Sequence, residues 1–110
     1  MVVVNGYTIE PYAYLFGVNL SAADLTGADL IGATLTFVDF TQAELTEADL
    51  SGAILNRANL NYATLSSADL TNASLKHTTL KHANLSGATL FSANLKDADF
   101  TNADLTNVTS

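Results

Sequence analysis

The sequence predicts an all-β fold in which the chain winds into square coils, and two observations lead to this prediction. A large apolar residue recurs at every fifth position from Leu15 to Leu105, and a small residue, mostly alanine, stands two positions before each one. Five residues advance an α-helix by about 140° beyond a full turn, and they reverse the facing side on a strand. Neither regular structure buries such a ladder, so the chain must turn within every repeat.

The repeat has nineteen copies, and we number the large residue of each copy as position i. We expect these residues to point into the core: Leu15, Leu20, Leu25, Leu30, Leu35, Phe40, Leu45, Leu50, Leu55, Leu60, Leu65, Leu70, Leu75, Leu80, Leu85, Leu90, Leu95, Phe100 and Leu105. Alanine stands at i−2 except at Val18, Val38 and Thr78. A buried threonine needs a partner, so we expect the Thr78 hydroxyl to bond to nearby backbone.

The corners of the square are expected at positions i+1 and i+2. Residues i−2 and i share one face of a short strand, and a turn after them lets the next pair point inward again. Glycine stands at i+2 in five repeats, which suits a turn whose later residue has positive φ. Four corners close a coil of twenty residues, and stacked coils pair at about 4.8 Å. Nineteen repeats then give nearly five coils and a rod of about 23 Å.

A family resemblance appears at this point. The stretches ADLTGADL, ANLSGATL and ADLSGAIL resemble the A(D/N)LXX pattern of the pentapeptide repeat family, and the match runs from Ala13 to Asn107. The resemblance implies a right-handed quadrilateral β-helix with i and i−2 pointing inward. Some members of the family are similar to DNA in shape and charge and protect gyrase, which implies a DNA mimic as one function to weigh.

The two ends of the rod differ. We expect residues 1–12 to form a cap segment and residues 13–110 to form the β-helix. Asn5-Gly6 between apolar residues predicts a hairpin, and Val2 to Val4 are expected to cover the first coil. The repeats stop within a twentieth unit with no apolar lid. We therefore expect the last coil, including Val108, to pack on a partner, most simply a second copy in a homodimer.

Composition excludes several classes of function. The net charge is −7 and the pI is about 4.3, which argues against a general attraction to nucleic acid or to anionic lipid. There are no cysteines, and no apolar run approaches the length of a membrane span. We see no signal peptide and expect a cytoplasmic protein.

The charge is unevenly distributed around the predicted coil. We call its sides the Leu15, Leu20, Leu25 and Leu30 walls, after the first inward residue of each. The Leu25 and Leu30 walls, which we call the acidic half, carry no basic residue and seven acidic ones: Asp24, Asp29, Glu44, Glu47, Asp49, Asp69 and Asp104. Stacked carboxylates in water repel by only about 1 kcal/mol. A solvated surface is the simpler interpretation, and an acidic docking surface or weak cation site is the other.

Outward-facing apolar residues are candidate contacts. Tyr14, Phe16, Phe37 and Ile54 lie around the first coils, and Phe91 lies further along the rod. Clustered exposed aromatic residues favour an interaction surface. The simpler alternative, which we prefer at this point, is that the N-terminal segment folds back and covers the first four.

The remaining polar cluster does not favour catalysis. Arg57, His77 and Asp97 share one corner column, and Tyr62 and His82 share the next. These corners face solvent with no cleft to exclude water. We expect no enzyme activity, cofactor, metal site or small-molecule substrate.

The sequence therefore predicts a non-catalytic structural or protein-interaction module. Its contact is expected on the acidic half or on the last coil, and the partner is not identified. The alternative is a DNA mimic that acts on a type II topoisomerase.

Overall fold

The computed structural model describes all 110 residues and consists of an N-terminal hairpin stacked on a rod of square coils. Strand β1 (Val2–Val4) pairs with β2 (Tyr7–Ile9) in antiparallel register. Asn5 and Gly6 join them with φ of 52° and 83°, and two positive φ values identify the type I′ turn that Asn-Gly favours. The molecule measures 32 × 23 × 22 Å. None of its segments is a helix long and apolar enough to cross a membrane.

The rest of the chain is a right-handed quadrilateral β-helix, as predicted. Parallel bridges join each residue at i−1 to the residue twenty positions later, from Tyr14–Thr34 to Thr89–Thr109. The twenty-residue coil inferred from the five-residue spacing is therefore confirmed.

Backbone hydrogen bonds hold neighbouring coils together at three points in each repeat. In the Leu25 wall, the Leu25 N–H donates to the Glu44 carbonyl at 2.7 Å, and the Glu44 N–H donates to the Ala23 carbonyl at 2.9 Å. In the corner that follows, the Gly27 N–H donates to the Thr46 carbonyl at 2.8 Å. Donors at i and i+2 always point towards the later coil, so the two ends of the rod present different groups.

Each corner is a turn in which the N–H three residues after i donates to the carbonyl of i, as Ala28 does to Leu25 at 3.0 Å. The residue at i+2 has positive φ in every corner from Tyr12 to Asn107, and the residue at i+1 does not. This combination identifies a type II turn. Sixteen non-glycine residues have positive φ and all except Asn5 lie in these corners. Each pays about 1–2 kcal/mol for a left-handed conformation, which the stacking of the coils outweighs.

The first corner is formed by Pro11 and Tyr12, ahead of the expected start of the β-helix at residue 13. The Ala13 N–H donates to the Glu10 carbonyl at 3.2 Å, and Pro11 takes the turn position that suits its fixed φ. The Tyr12 N–H already donates to the Ile31 carbonyl of the next coil at 2.7 Å. Coil stacking therefore begins at this corner.

The core is a narrow column of leucine and alanine. From Leu20 to Leu85 every large inward residue is at most 2% exposed. Thr78 is the one buried polar residue, and its hydroxyl donates to the Leu55 carbonyl at 2.6 Å, as predicted. No buried side-chain nitrogen or oxygen lacks a hydrogen-bond partner.

The hairpin covers the first coil less completely than predicted. Ile9 is buried and Val4 packs partly against the core, but Val2 and Val3 are each more than half exposed. Side chains alternate along a strand, so Val3 points away from the coil. Val2 lies at the rim of an open cleft of about 250 Å³ between the hairpin and residues 24–29.

Candidate interaction surfaces

The predicted acidic residues lie on the outside of the Leu25 and Leu30 walls, as two stacks and two isolated residues. Bridges stack Asp24 on Glu44 and stack Asp29, Asp49 and Asp69 in one ladder. Asp104 stacks on an asparagine, and Glu47 occupies a corner with φ of 59°. The structure therefore brings together five of the seven carboxylates as two stacks.

These carboxylates have a structural role that the sequence analysis missed. Asp24 accepts hydrogen bonds from the Thr26 N–H at 3.1 Å and from its hydroxyl at 2.8 Å. Asp49 does the same with Ser51 at 3.0 and 2.7 Å. The N–H at i+1 is the one that coil stacking leaves without a backbone acceptor, so the side chain at i−1 satisfies it.

The same bond recurs throughout the rod. Every Asp, Asn or Glu at i−1, twelve in all, accepts from the N–H at i+1. The sequence signal for this bond is an acceptor side chain at i−1 that is followed, in most of these repeats, by serine or threonine at i+1. The prevalence of Asp on the acidic half thus has a local cause that needs no partner.

The hydrogen bonds also lower the pKa of three of these aspartates. The Thr26 hydroxyl, and then its N–H, lower the pKa of Asp24 below its ordinary 3.8. Thr101 and Thr106 lower the pKa of Asp99 and of Asp104 in the same way. Each of these carboxylates is therefore held in its ionised form.

The last coil exposes both core side chains and backbone. Leu95 and Leu105 are 37% and 44% exposed, and Phe100 and Val108 are only partly buried against the core. The N–H groups of Leu95, Phe100 and Leu105 have no backbone acceptor, whereas the equivalent groups one coil earlier donate to this coil. An apolar surface is thus bordered by unpaired strand edges.

The apolar residues of the first coils remain uncovered, so the expectation that the N-terminal segment folds over them is wrong. Tyr14, Phe16, Phe37 and Ile54 are 75%, 49%, 53% and 40% exposed. The cause is the direction of the cap: Ile9 joins the core, so the hairpin stacks on the end of the rod instead of along its side.

The other predicted residues stay apart from this group. Phe91 is exposed on a different wall. His77 Nε2 lies 3.7 Å from Asp97 Oδ2, and the rings of Tyr62 and His82 stack with centroids 4.8 Å apart. Both pairs occupy corners without a surrounding cleft, so they offer no site at which water is excluded.

Comparison with known proteins gives the following matches. A family model for pentapeptide repeats matches residues 13–52, 35–72 and 68–107. A pentapeptide repeat protein of the Arabidopsis thaliana thylakoid lumen is 28% identical with a TM-score of 0.69, over 90% of this chain and 63% of that one. The pentapeptide repeat protein alr5209 from Nostoc PCC 7120 is 41% identical with a TM-score of 0.44, over 73% and 62%. This chain thus spans under two thirds of either relative. No curated protein matches significantly.

Proposed function

Because the chain belongs to the pentapeptide repeat family, we propose that it is a non-catalytic protein-interaction module that associates through its last coil. The observation that carries the proposal is the exposure of Leu95 and Leu105 beside unpaired N–H groups. An edge of this kind pairs readily with another strand edge. The narrow core filled by leucine and alanine leaves no room for a substrate, which supports a role in binding.

A second copy of the chain is the simplest partner. A two-fold axis would place two identical edges against each other in antiparallel orientation, so that N–H groups of one face carbonyl groups of the other. Head-to-tail stacking is disfavoured because the hairpin occupies the opposite end of the rod. The pairing would also bury Phe100 and Val108 against their symmetry mates.

Light scattering on the 110-residue chain tests the proposal. We expect the mass of a dimer at high micromolar concentration, and the mass of a monomer at the same concentration for Leu105→Asp. Ile54→Thr, which alters an exposed residue two coils away from this one, is the matched control and should remain dimeric. A monomeric native chain at high micromolar concentration would count against the proposal.

A second candidate, a DNA mimic acting on a type II topoisomerase, is supported by the two walls that carry only acidic residues. Its support is weaker, since seven carboxylates along roughly 23 Å are sparse beside a duplex with a charge about every 1.7 Å. A gyrase supercoiling assay tests it. We expect the native chain to inhibit supercoiling. The combined variant Asp29→Asn, Asp49→Asn, Asp69→Asn should not inhibit it. Asparagine retains the corner hydrogen bond, so the fold is kept. Absence of inhibition removes this candidate.

A further inference from the structure

The Leu15 wall presents an ordered aromatic cluster near the hairpin. The Phe16 ring stacks on Tyr14 with centroids 6.2 Å apart and meets Phe37 edge-on at 5.7 Å. About half or more of each side chain remains exposed, and no part of the chain covers them. Because the rings already restrain one another, a partner that docks on them loses little side-chain entropy at this surface.

The same wall becomes cationic towards the last coil. Arg57, Lys76 and Lys96 are three of the four basic residues in the chain. None of the three forms an ion pair, whereas the fourth, Lys81, pairs with Asp99 on the next wall at 3.8 Å. These three charges are therefore available to an outside group.

The composition of this wall is that of an interface. Interface cores are enriched in aromatic residues and arginine and depleted of Asp, Glu and Lys, so the aromatic cluster suits the centre of an interface and the two lysines suit its polar rim. Asp97 is the only acidic residue of the wall, and it lies against His77 in the corner. The Leu25 wall lies opposite this wall and the Leu30 wall adjoins it. The charged residues of both are all acidic and repel a negatively charged partner, so such a partner is directed to the Leu15 wall.

We infer that the Leu15 wall binds a segment of another protein that carries an apolar anchor followed by acidic side chains. The column that begins at Phe16 and passes Lys76 to Lys96 covers four coil spacings, or about 19 Å. About six extended residues span that length. The apolar anchor meets the aromatic cluster at the hairpin end, and the carboxylates meet the three cations.

Charge also argues against single-stranded nucleic acid as the partner, although its bases likewise stack on aromatic rings. A nucleic acid carries a phosphate at every nucleotide, and three cations on a chain of net charge −7 offset few of them. A peptide can place its carboxylates only where the cations lie. Of the residues of this site only Lys96 belongs to the last coil, so the aromatic cluster, Arg57 and Lys76 are accessible whether or not the chain associates with itself.

Panning a random dodecapeptide phage library against the folded 110-residue chain tests the inference. The recovered peptides, synthesised with a fluorescein label, should combine Asp or Glu with an aromatic or aliphatic residue. Their affinity should fall by about tenfold or more with Phe37→Ser and with Lys76→Glu. Serine occupies the same repeat position at Ser67 and Ser92, so Phe37→Ser should preserve the fold.

Phe91→Thr removes an exposed phenylalanine on another wall and should leave peptide affinity unchanged. Light scattering should show that Phe37→Ser keeps the oligomeric state of the native chain. The inference is overturned if the library yields no enriched peptide, or if the peptides bind both wall variants as tightly as the native chain. It is also overturned if a labelled oligothymidylate, and no peptide, binds in a way that depends on Phe37.

Discussion

The Thr78 hydroxyl donates a 2.6 Å hydrogen bond to the Leu55 carbonyl oxygen, one coil earlier and inside the apolar core. That carbonyl also accepts the corner hydrogen bond of Ala58 at 3.0 Å. The hydroxyl therefore has a hydrogen-bond acceptor. The carbonyl would still accept a hydrogen bond from Ala58 if the hydroxyl were removed. Polar and apolar side chains of similar size should be nearly interchangeable at this position.

Replacement of Thr78 by valine should change the free energy of unfolding by less than about 1 kcal/mol, because no buried polar group is left unpaired. Valine already occupies this column at Val18 and Val38. Thr78→Ala, which opens a small cavity, should cost about 1–2 kcal/mol. Urea denaturation measures both, and a larger loss for valine than for alanine would contradict the account.

Removal of a corner acceptor should destabilise the rod. Asp49→Ala leaves the Ser51 N–H unpaired and should lower the free energy of unfolding by about 1 kcal/mol, while Asp49→Asn keeps the acceptor. Thr89→Ala is the matched control, since Thr89 stacks in the same column without this bond. If urea denaturation shows that Asp49→Ala and Asp49→Asn lower the free energy of unfolding equally, then charge, and not the corner hydrogen bond, stabilises the fold.

The lowered pKa of three aspartates predicts acid sensitivity. The pKa of Asp24, Asp99 and Asp104 lies below the ordinary value of 3.8 in the folded chain. Their contribution to stability is present above 3.8 and is lost as the pH falls through the lower folded values, because the unfolded chain then binds more protons. Thermal melts below pH 4 should therefore depend less on pH in the Asp24→Asn, Asp104→Asn double variant. An unchanged slope would contradict the assignment.

Two corner glycines should differ in their sensitivity to alanine. Gly27 has φ of +68° and open space around it, so Gly27→Ala should cost only the backbone strain of about 1–2 kcal/mol. Gly32 has φ of +65°, and a Cβ there would collide with the Tyr12 ring. Gly32→Ala should therefore cost more.

The excess cost at Gly32 should disappear in a Tyr12→Ser background, where the ring that causes the collision is absent. A double-mutant cycle in urea denaturation measures this coupling. Additive effects would mean that the ring moves aside without cost.

The architecture was predictable because the signals that define it are local and repeated. A five-residue spacing excludes helix and straight strand, and Asn5-Gly6 specifies its own turn. The acceptor role of residues such as Asp49 was also readable in principle. It follows from the repeat itself, because the stacked coils leave the N–H at i+1 without a backbone acceptor and the side chain at i−1 lies within reach of it.

The exposure of the first aromatic residues was not predictable in the same way. Whether Tyr14 and Phe37 are covered depends on the direction in which the hairpin leaves the first coil, and no repeat specifies that direction. Ile9 sets the direction of the hairpin because its side chain packs into the core. This contact between the cap and the first coil has no counterpart elsewhere in the sequence. Pairing of the aromatic rings likewise depends on side-chain placement across two coils.

Amide hydrogen exchange in the last coil, followed by NMR at low and high micromolar concentration, tests the central claim most directly. The Asp99 and Asp104 amides donate to the preceding coil and serve as internal references. The Leu95, Phe100 and Leu105 amides have no acceptor within one chain. The account predicts that these three exchange fast at low concentration and become protected at high concentration. Fast exchange of all three at every concentration, with the references still protected, would contradict association through this coil.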